Sequence, residues 1–279
     1  MMTTGVESSG NDAGVTKIRP KRRRRGPGWV PNQHGAWAML TVPLVVGAIR
    51  SGLTWEHLLL LVAWFSAYFA FYATGLWLKS RRKARYRPPV IAYAVSTAAL
   101  GLPLIAWHPE LVRWAVVFGP LLLVSLGYSV RRDDRAILND LLTTGAAAVM
   151  VVVAGGLGRL GTAPSDLGDL GAAWFPGGGD PDLWRITLVV FLYFAGTAFY
   201  VKTMIRERGS RGWLIASVAW HALTLAVAVL AWPTAAWLMA IALVRAVVVP
   251  WRLPRATAAQ IGYGEVVVSV ALTVVLVVT

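Results

Sequence analysis

The sequence contains no cysteine. That excludes disulfides, a thiolate nucleophile and any zinc or iron–sulfur site built on cysteine. Acidic residues are also scarce: 13 Asp and Glu stand against 27 Lys and Arg, and charged residues make up only 14% of the chain. The 4 histidines, His34, His57, His108 and His221, fall at different depths of the hydrophobic pattern, which argues against a shared metal centre. There is no Walker loop, no His-Glu-x-x-His pair and no Gly-x-Ser-x-Gly elbow. Gly177-Gly178-Gly179 precedes no helix suited to cradling a nucleotide. No apolar stretch precedes the arginine run, so the N-terminal segment does not read as a cleavable signal peptide. Residues 1–28 are polar and then strongly basic (Lys17 to Arg25), which predicts a disordered cytoplasmic tail ahead of a transmembrane domain over residues 29–279.

What is present is hydrophobic. Such residues make up 57% of the chain and mean hydropathy is +0.59, a composition rare in soluble domains. Apolar runs recur at the length needed to cross a bilayer. Nine spans are expected: Gly35–Ile49, His57–Leu78, Val90–Trp107, Trp114–Val130, Ile137–Leu157, Trp184–Ile205, Trp213–Trp232, Ala235–Trp251 and Ile261–Thr279. Period-2 alternation is absent and backbone groups in lipid must be satisfied internally, so the spans are helical and the fold is all-α.

The basic residues fix a direction. They gather in Lys17–Arg25, Lys79–Arg87, Arg131–Arg135, Lys202–Arg211 and Arg252–Arg255, at every second break between spans. The alternate breaks carry only Arg50, Arg113, Arg159 and Arg185. Basic loops stay on the cytoplasmic side, which predicts an N-terminus inside and a C-terminus outside. Of the 14 Trp, 11 lie near span ends, as an aromatic belt requires. The net charge of +14 would point to nucleic acid in a soluble chain. Here it sits at helix ends, so the expected partner is the bilayer, anionic lipid included, and not nucleic acid.

Pro43 and Pro120 fall inside expected spans, and Pro250 ends the eighth. The long break from Gly158 to Leu183 is rich in Gly and Pro and reads as an unconstrained external loop. A weak repeat links Tyr68-Phe69-Ala70 with Tyr193-Phe194-Ala195. Each stands thirteen residues before an arginine, Arg81 or Arg206, in a basic loop.

Nine spans with an inside N-terminus and marked loops after the second and sixth resemble the plan of the UbiA prenyltransferase superfamily. Tyr86-Arg87-Pro88 looks like the end of that superfamily's first motif. Gly127-Tyr128-Ser129-Val130-Arg131-Arg132, then Asn139-Asp140-Leu141 and a Gly/Ala-rich fifth span, look like its fourth and fifth helices. That resemblance implies Mg²⁺ and an isoprenyl diphosphate gripped by an Asn and aspartates. Aligned without gaps on Tyr86-Arg87-Pro88, those positions are Tyr72, Ala73, Leu76 and Ser80. The loop from Lys79 to Arg87 has no carboxylate, and the second loop keeps only Glu207. Carboxylates on both loops are needed for the metal, so no cofactor is expected and Mg²⁺-dependent prenyl transfer is not. The segment Gln33-His34-Gly35-Ala36-Trp37 at the start of the first span resembles a narrower group, the YwiC-like membrane proteins of bacteria. This implies a multi-pass protein of the bacterial plasma membrane and no established reaction.

Ionisable residues within spans are costly and are functional candidates for that reason. His34, Asp140, Lys202, Glu207, Arg245 and Glu265 fall toward the cytoplasmic ends, and Arg82, Arg87, Arg131 and Arg206 stand in the basic loops. Together they form the expected ligand site, with no metal site and no assigned catalytic residue. The basic loops would offer Arg forks to phosphate. Each residue also has a structural role available. Asn139 and Asp140 are expected to cap, or to pair with Arg131 and Arg132. Arg245 and Glu265 can form one buried ion pair between spans eight and nine. Lys202 can snorkel. His221 is expected to bond a neighbouring helix away from this cluster, and Glu56, His57, His108 and Glu110 to be solvated. Three functions remain open: binding of an anionic lipid or isoprenoid in a cytoplasm-facing cavity, transport, and an accessory role in a membrane complex. For the last, Gly145-Ala146-Ala147-Ala148 would be a packing face.

Overall fold

The computed structural model describes residues 28–31, 35–158 and 174–279; the N-terminal tail, His34 and most of the Gly158–Leu183 break lie outside these. Among the described residues every regular element is helical. The helices are α1 (Gly35–Ser51), α2 (Trp55–Lys79), α3 (Arg87–Trp107), α4 (Ala115–Arg131), α5 (Ile137–Leu157), α6 (Pro181–Val201), α7 (Arg211–Ala231), α8 (Ala236–Arg252) and α9 (Ala258–Val278). Each matches an expected span to within a few residues. Eight of these segments are long and apolar enough to cross a membrane. The chain is thus an all-helical, multi-pass membrane bundle.

The exception is α1, with 17 residues; α4 and α8 are as short, but the 3₁₀ turns at Pro109–Trp114 and Pro233–Ala235 that lead into them extend these spans to 23 and 20 residues. At 1.5 Å per residue α1 is about 25 Å long, short of a bilayer core of about 30 Å. Its position explains the tolerance: α1 packs along α5 and α9 and touches α2 and α6, so much of it faces protein. Leu44, Val46 and Ala48 of α1 join Val151, Val152 and Ala154 of α5 in the main core. Gly47 sets the spacing, because a Cβ there would lie 2.2 Å from the Val151 carbonyl oxygen.

The α1–α5 pair joins two groups of helices. On one side α2 packs against α3 and α4; on the other α6 packs against α7 and α9, and α7 against α8. The starts of several helices are written in the sequence. Asp180 accepts from the Asp182 amide at α6, and Ser210 accepts from Trp213 at α7. Thr257 and Gln260 form a reciprocal capping box at α9.

Side-chain ties hold the two ends of the bundle apart in character. At one end Lys79 of α2 pairs with Asp134 in the α4–α5 turn, and Lys202 beyond α6 donates to the Arg135 carbonyl at 2.5 Å. Arg208 donates to the Ala256 carbonyl at 3.0 Å, joining the α6–α7 and α8–α9 turns. Tyr93 donates to the Trp29 carbonyl at 2.6 Å, bringing the chain before α1 to the same end. All four described basic clusters therefore gather at one end. At the other end Arg50 donates to the Leu276 carbonyl, and Arg113 to the Trp174 carbonyl.

Two expectations are corrected here. His57 is buried, not solvated: one ring nitrogen faces the Ala154 carbonyl at 2.9 Å and the other accepts from the Thr54 amide. The described end of the long break is packed rather than unconstrained. Phe175 lies against Trp114 with ring centroids 4.6 Å apart. Gly177, at a positive φ of 80°, fits where a Cβ would meet the Val152 carbonyl at 2.5 Å.

Candidate functional site

Helix α6 is the spine on which the polar residues are assembled. Its α-helical turns end at Val201 and a single π-helical turn follows, Lys202–Arg206, closed by the Glu207 amide on the Lys202 carbonyl at 2.8 Å. Such turns are uncommon and gather at functional sites. This one carries Lys202, whose side chain is only 8% exposed.

Lys202 does not snorkel. Its ammonium lies 3.0 Å from Asp140 of α5, donates to the Arg135 carbonyl, and stands 5.5 Å from the ring centre of Trp213 in α7. The expectation that Asp140 and Asn139 pair with Arg131 and Arg132 is thereby corrected. Asp140 turns to Lys202. Asn139 accepts from Ser125 of α4 at 2.6 Å and donates to the Asp134 carbonyl at 2.9 Å. Arg206, exposed, lies within electrostatic range of Asp140.

The second cluster lies deeper. Thr197, five residues before Lys202 and so about 7.5 Å further into the bundle, donates to Glu265 of α9 at 2.8 Å. Glu265 forms the expected ion pair with Arg245 of α8, whose guanidinium also lies over the Tyr200 ring at 4.4 Å. Tyr193 reaches Ser269 at 3.3 Å. Tyr193, Thr197 and Tyr200 stand four and three residues apart, one stripe of α6 facing α8 and α9. His221 is buried beside this half, and its Nδ1 faces the Ser217 carbonyl of its own helix at 2.7 Å, not a neighbour.

The other expected residues stand apart from both pairs. Arg82 lies over Trp77, 5.8 Å from its ring centre. Arg87 and Arg131 are exposed and, among the described residues, make no ion pair or side-chain hydrogen bond. Glu207 is half-buried with no ion pair among the described residues. Three arginines, Arg81, Arg82 and Arg132, hold positive φ of 59°, 60° and 61° in turns that glycine would enter freely.

The metal implied by the superfamily resemblance does not fit these residues. Ala73 is fully buried, and Ser80 donates to the Trp77 carbonyl at 2.8 Å. The nearby Asp134 is neutralised by Lys79. Sequence reasoning missed Ser125 and the aromatic side of α6. In the last, Phe199 stacks on Trp220 at 5.0 Å and neighbours Trp213 at 6.2 Å. Aromatic spacing on α6 and α7 was the available signal.

Residues 30–155 match the family model described as YwiC-like protein. The chain is 33% identical over 196 residues to the uncharacterized protein YwiC of Bacillus subtilis, a match covering 70% of this chain and 74% of that protein. It is 25% identical over 194 residues to an uncharacterized protein of Haemophilus influenzae, again covering 70% of this chain and 74% of the relative. No solved structure matches the chain. With a third of the residues shared across three quarters of the Bacillus protein, and the family model covering α1 to α5, the chain belongs to the YwiC-like family.

Proposed function

We propose that the protein lies in the bacterial plasma membrane with its basic end in the cytoplasm, and is UbiA-like in architecture. On this reading it binds an anionic lipid or isoprenoid at that end without Mg²⁺-dependent prenyl transfer. The observation that carries the reading is Lys202: a buried ammonium at the basic end, held by Asp140 and a backbone carbonyl, with Arg206 one turn beyond. A lysine that served only as a topology signal would have no need of burial, because exposed charge suffices for that. The strained arginines of the neighbouring turns point the same way, since charge is kept where backbone geometry favours glycine. Positive loops at the cytoplasmic leaflet attract anionic head groups, and Arg forks suit phosphate oxygens.

A transport role is the second reading, favoured by the Arg245–Glu265 pair inside the bundle. Beyond Ser269 and His221, however, the interior continues as Ile186, Val190, Leu238, Met239, Leu272 and Leu276, all apolar and buried. That favours a site closed on the far side. The test is lipid retained by the purified chain, with Arg87 and Arg206 neutralised together in one variant and Arg22 to Arg25 in another. Greater loss in the loop variant supports the reading, and equal loss opposes it.

A further inference from the structure

The outward face of α6 carries a pattern that neither ion pair uses. Trp184, Leu188, Phe191, Phe199 and Lys202 recur at helical spacing along it. Starting at the basic end, Lys202 lies against Trp213 and Trp213 neighbours Phe199. Phe199 stacks on Trp220, and Trp220 meets Phe191 edge-on at 6.3 Å. The Trp220 indole is pinned to α6 by its hydrogen bond to the Leu192 carbonyl at 2.9 Å. Phe191 then lines a groove of about 300 Å³ between α5 and α6, with Gly145, Ala148, Val149, Trp184 and Leu188. The groove is open on its outer side: Trp184 and Leu188 are 40% and 43% exposed. A buried cation, an aromatic wall and an apolar groove therefore follow one another along a single helix.

We infer that α6, flanked by α5 and α7, seats one long-tailed anionic amphiphile, with its phosphate at Lys202 and Arg206 and its tail running over Trp213, Phe199 and Trp220 into the α5–α6 groove. The inference rests on the proposed anion-binding role of the basic end and adds the path and length of the tail. Charge complementarity sets the head, because the only buried ammonium on this face stands at the basic end of the path. The length follows from helix rise. From Lys202 to Phe191 is about 16 Å and to Trp184 about 27 Å. One leaflet of hydrocarbon is about 15 Å deep, half a bilayer core. A phospholipid tail stops at the near edge of the groove; a tail longer than one leaflet fills it.

The test uses the full chain in lipid nanodiscs, and the lack of native cysteine makes single-cysteine labelling clean. Leu188→Cys reports on the groove. Val95→Cys, on α3 and 62% exposed, is the control. Undecaprenyl phosphate, dodecyl phosphate and inorganic phosphate are the probes. Undecaprenyl phosphate is expected to suppress maleimide labelling at Leu188→Cys and leave Val95→Cys unchanged, while dodecyl phosphate and inorganic phosphate protect neither. Gly145→Leu fills the groove in a tolerated way, since its Cβ meets the Phe191 ring at an ordinary 3.7 Å. It is expected to weaken undecaprenyl phosphate about tenfold, the loss of roughly two methylene contacts, and to leave dodecyl phosphate unaffected. If undecaprenyl phosphate binds in a manner lost on neutralising Arg206, yet neither protects Leu188→Cys nor responds to Gly145→Leu, the tail path is refuted and the anion-binding role stands. If none of the three phosphates binds, both are refuted.

Discussion

Removing one partner of the Lys202–Asp140 pair should not be equivalent to removing the other. The side chains are 8% and 29% exposed, respectively. Asp140→Leu leaves the more buried ammonium with only the Arg135 carbonyl and the Trp213 face. Breaking a buried pair from one side costs about 3–5 kcal/mol. The retained carbonyl bond and cation–π contact offset about 1 kcal/mol of that, leaving a loss of about 2–4 kcal/mol. Lys202→Met instead leaves a carboxylate that reaches water and feels Arg206, at a cost of about 1–2 kcal/mol. The double variant removes both charges and should fall within about 1 kcal/mol of wild type. Thermal unfolding in detergent, followed by tryptophan fluorescence, reads the difference. At about 2–4 °C per kcal/mol for a chain of this size, Asp140→Leu should lower Tm by about 5–15 °C and Lys202→Met by clearly less. The reasoning is refuted if Lys202→Met is the more damaging change, or if the double variant loses the sum of the two.

Packing and charge give three further outcomes. Gly47→Ala should destabilise the bundle by about 2–3 kcal/mol, because the new Cβ would force α1 away from the α5 backbone at Val151. Gly262→Ala, with no atom within 4 Å of its Cβ, should be neutral or slightly stabilising in the same unfolding measurement. A topology reporter fused after Arg85 or Arg208 should read cytoplasmic and one near Gly178 external; the reverse at either point would overturn the orientation.

Helix positions were legible because apolar length and the placement of Arg and Trp are properties of the chain itself, imposed by the bilayer. The segregation of charge was legible for the same reason. Partners across helices were less so. The Arg245–Glu265 pair could be anticipated, since two lone opposite charges at matching depth on consecutive helices have few alternatives. Asp140 was harder: Arg131 and Arg132 are nearer in sequence, but Arg132 takes a left-handed turn and the closing approach of α5 and α6 brings Lys202 instead. His57 was misread although Thr54-x-x-His57 has the spacing of a capping box. Its burial comes from α5, whose Ala154 carbonyl lies 97 residues away and leaves no local trace. The aromatic wall on α6 went unseen because Trp213 already had an interfacial explanation, and the contacts of Phe191 and Phe199 with Trp220 are made between α6 and α7.

The claim that the basic end is a binding site, and not merely a signal for orientation, is tested most directly by native mass spectrometry of lipid retained on the purified chain. The account predicts anionic lipid or isoprenyl phosphate on the wild-type protein. It also predicts a much larger loss when Arg87 and Arg206 are neutralised than when Arg22 to Arg25 are, and wild-type binding that persists in salt because Lys202 is buried and weakly screened. Equal small losses in the two variants, abolished alike by salt, would contradict it.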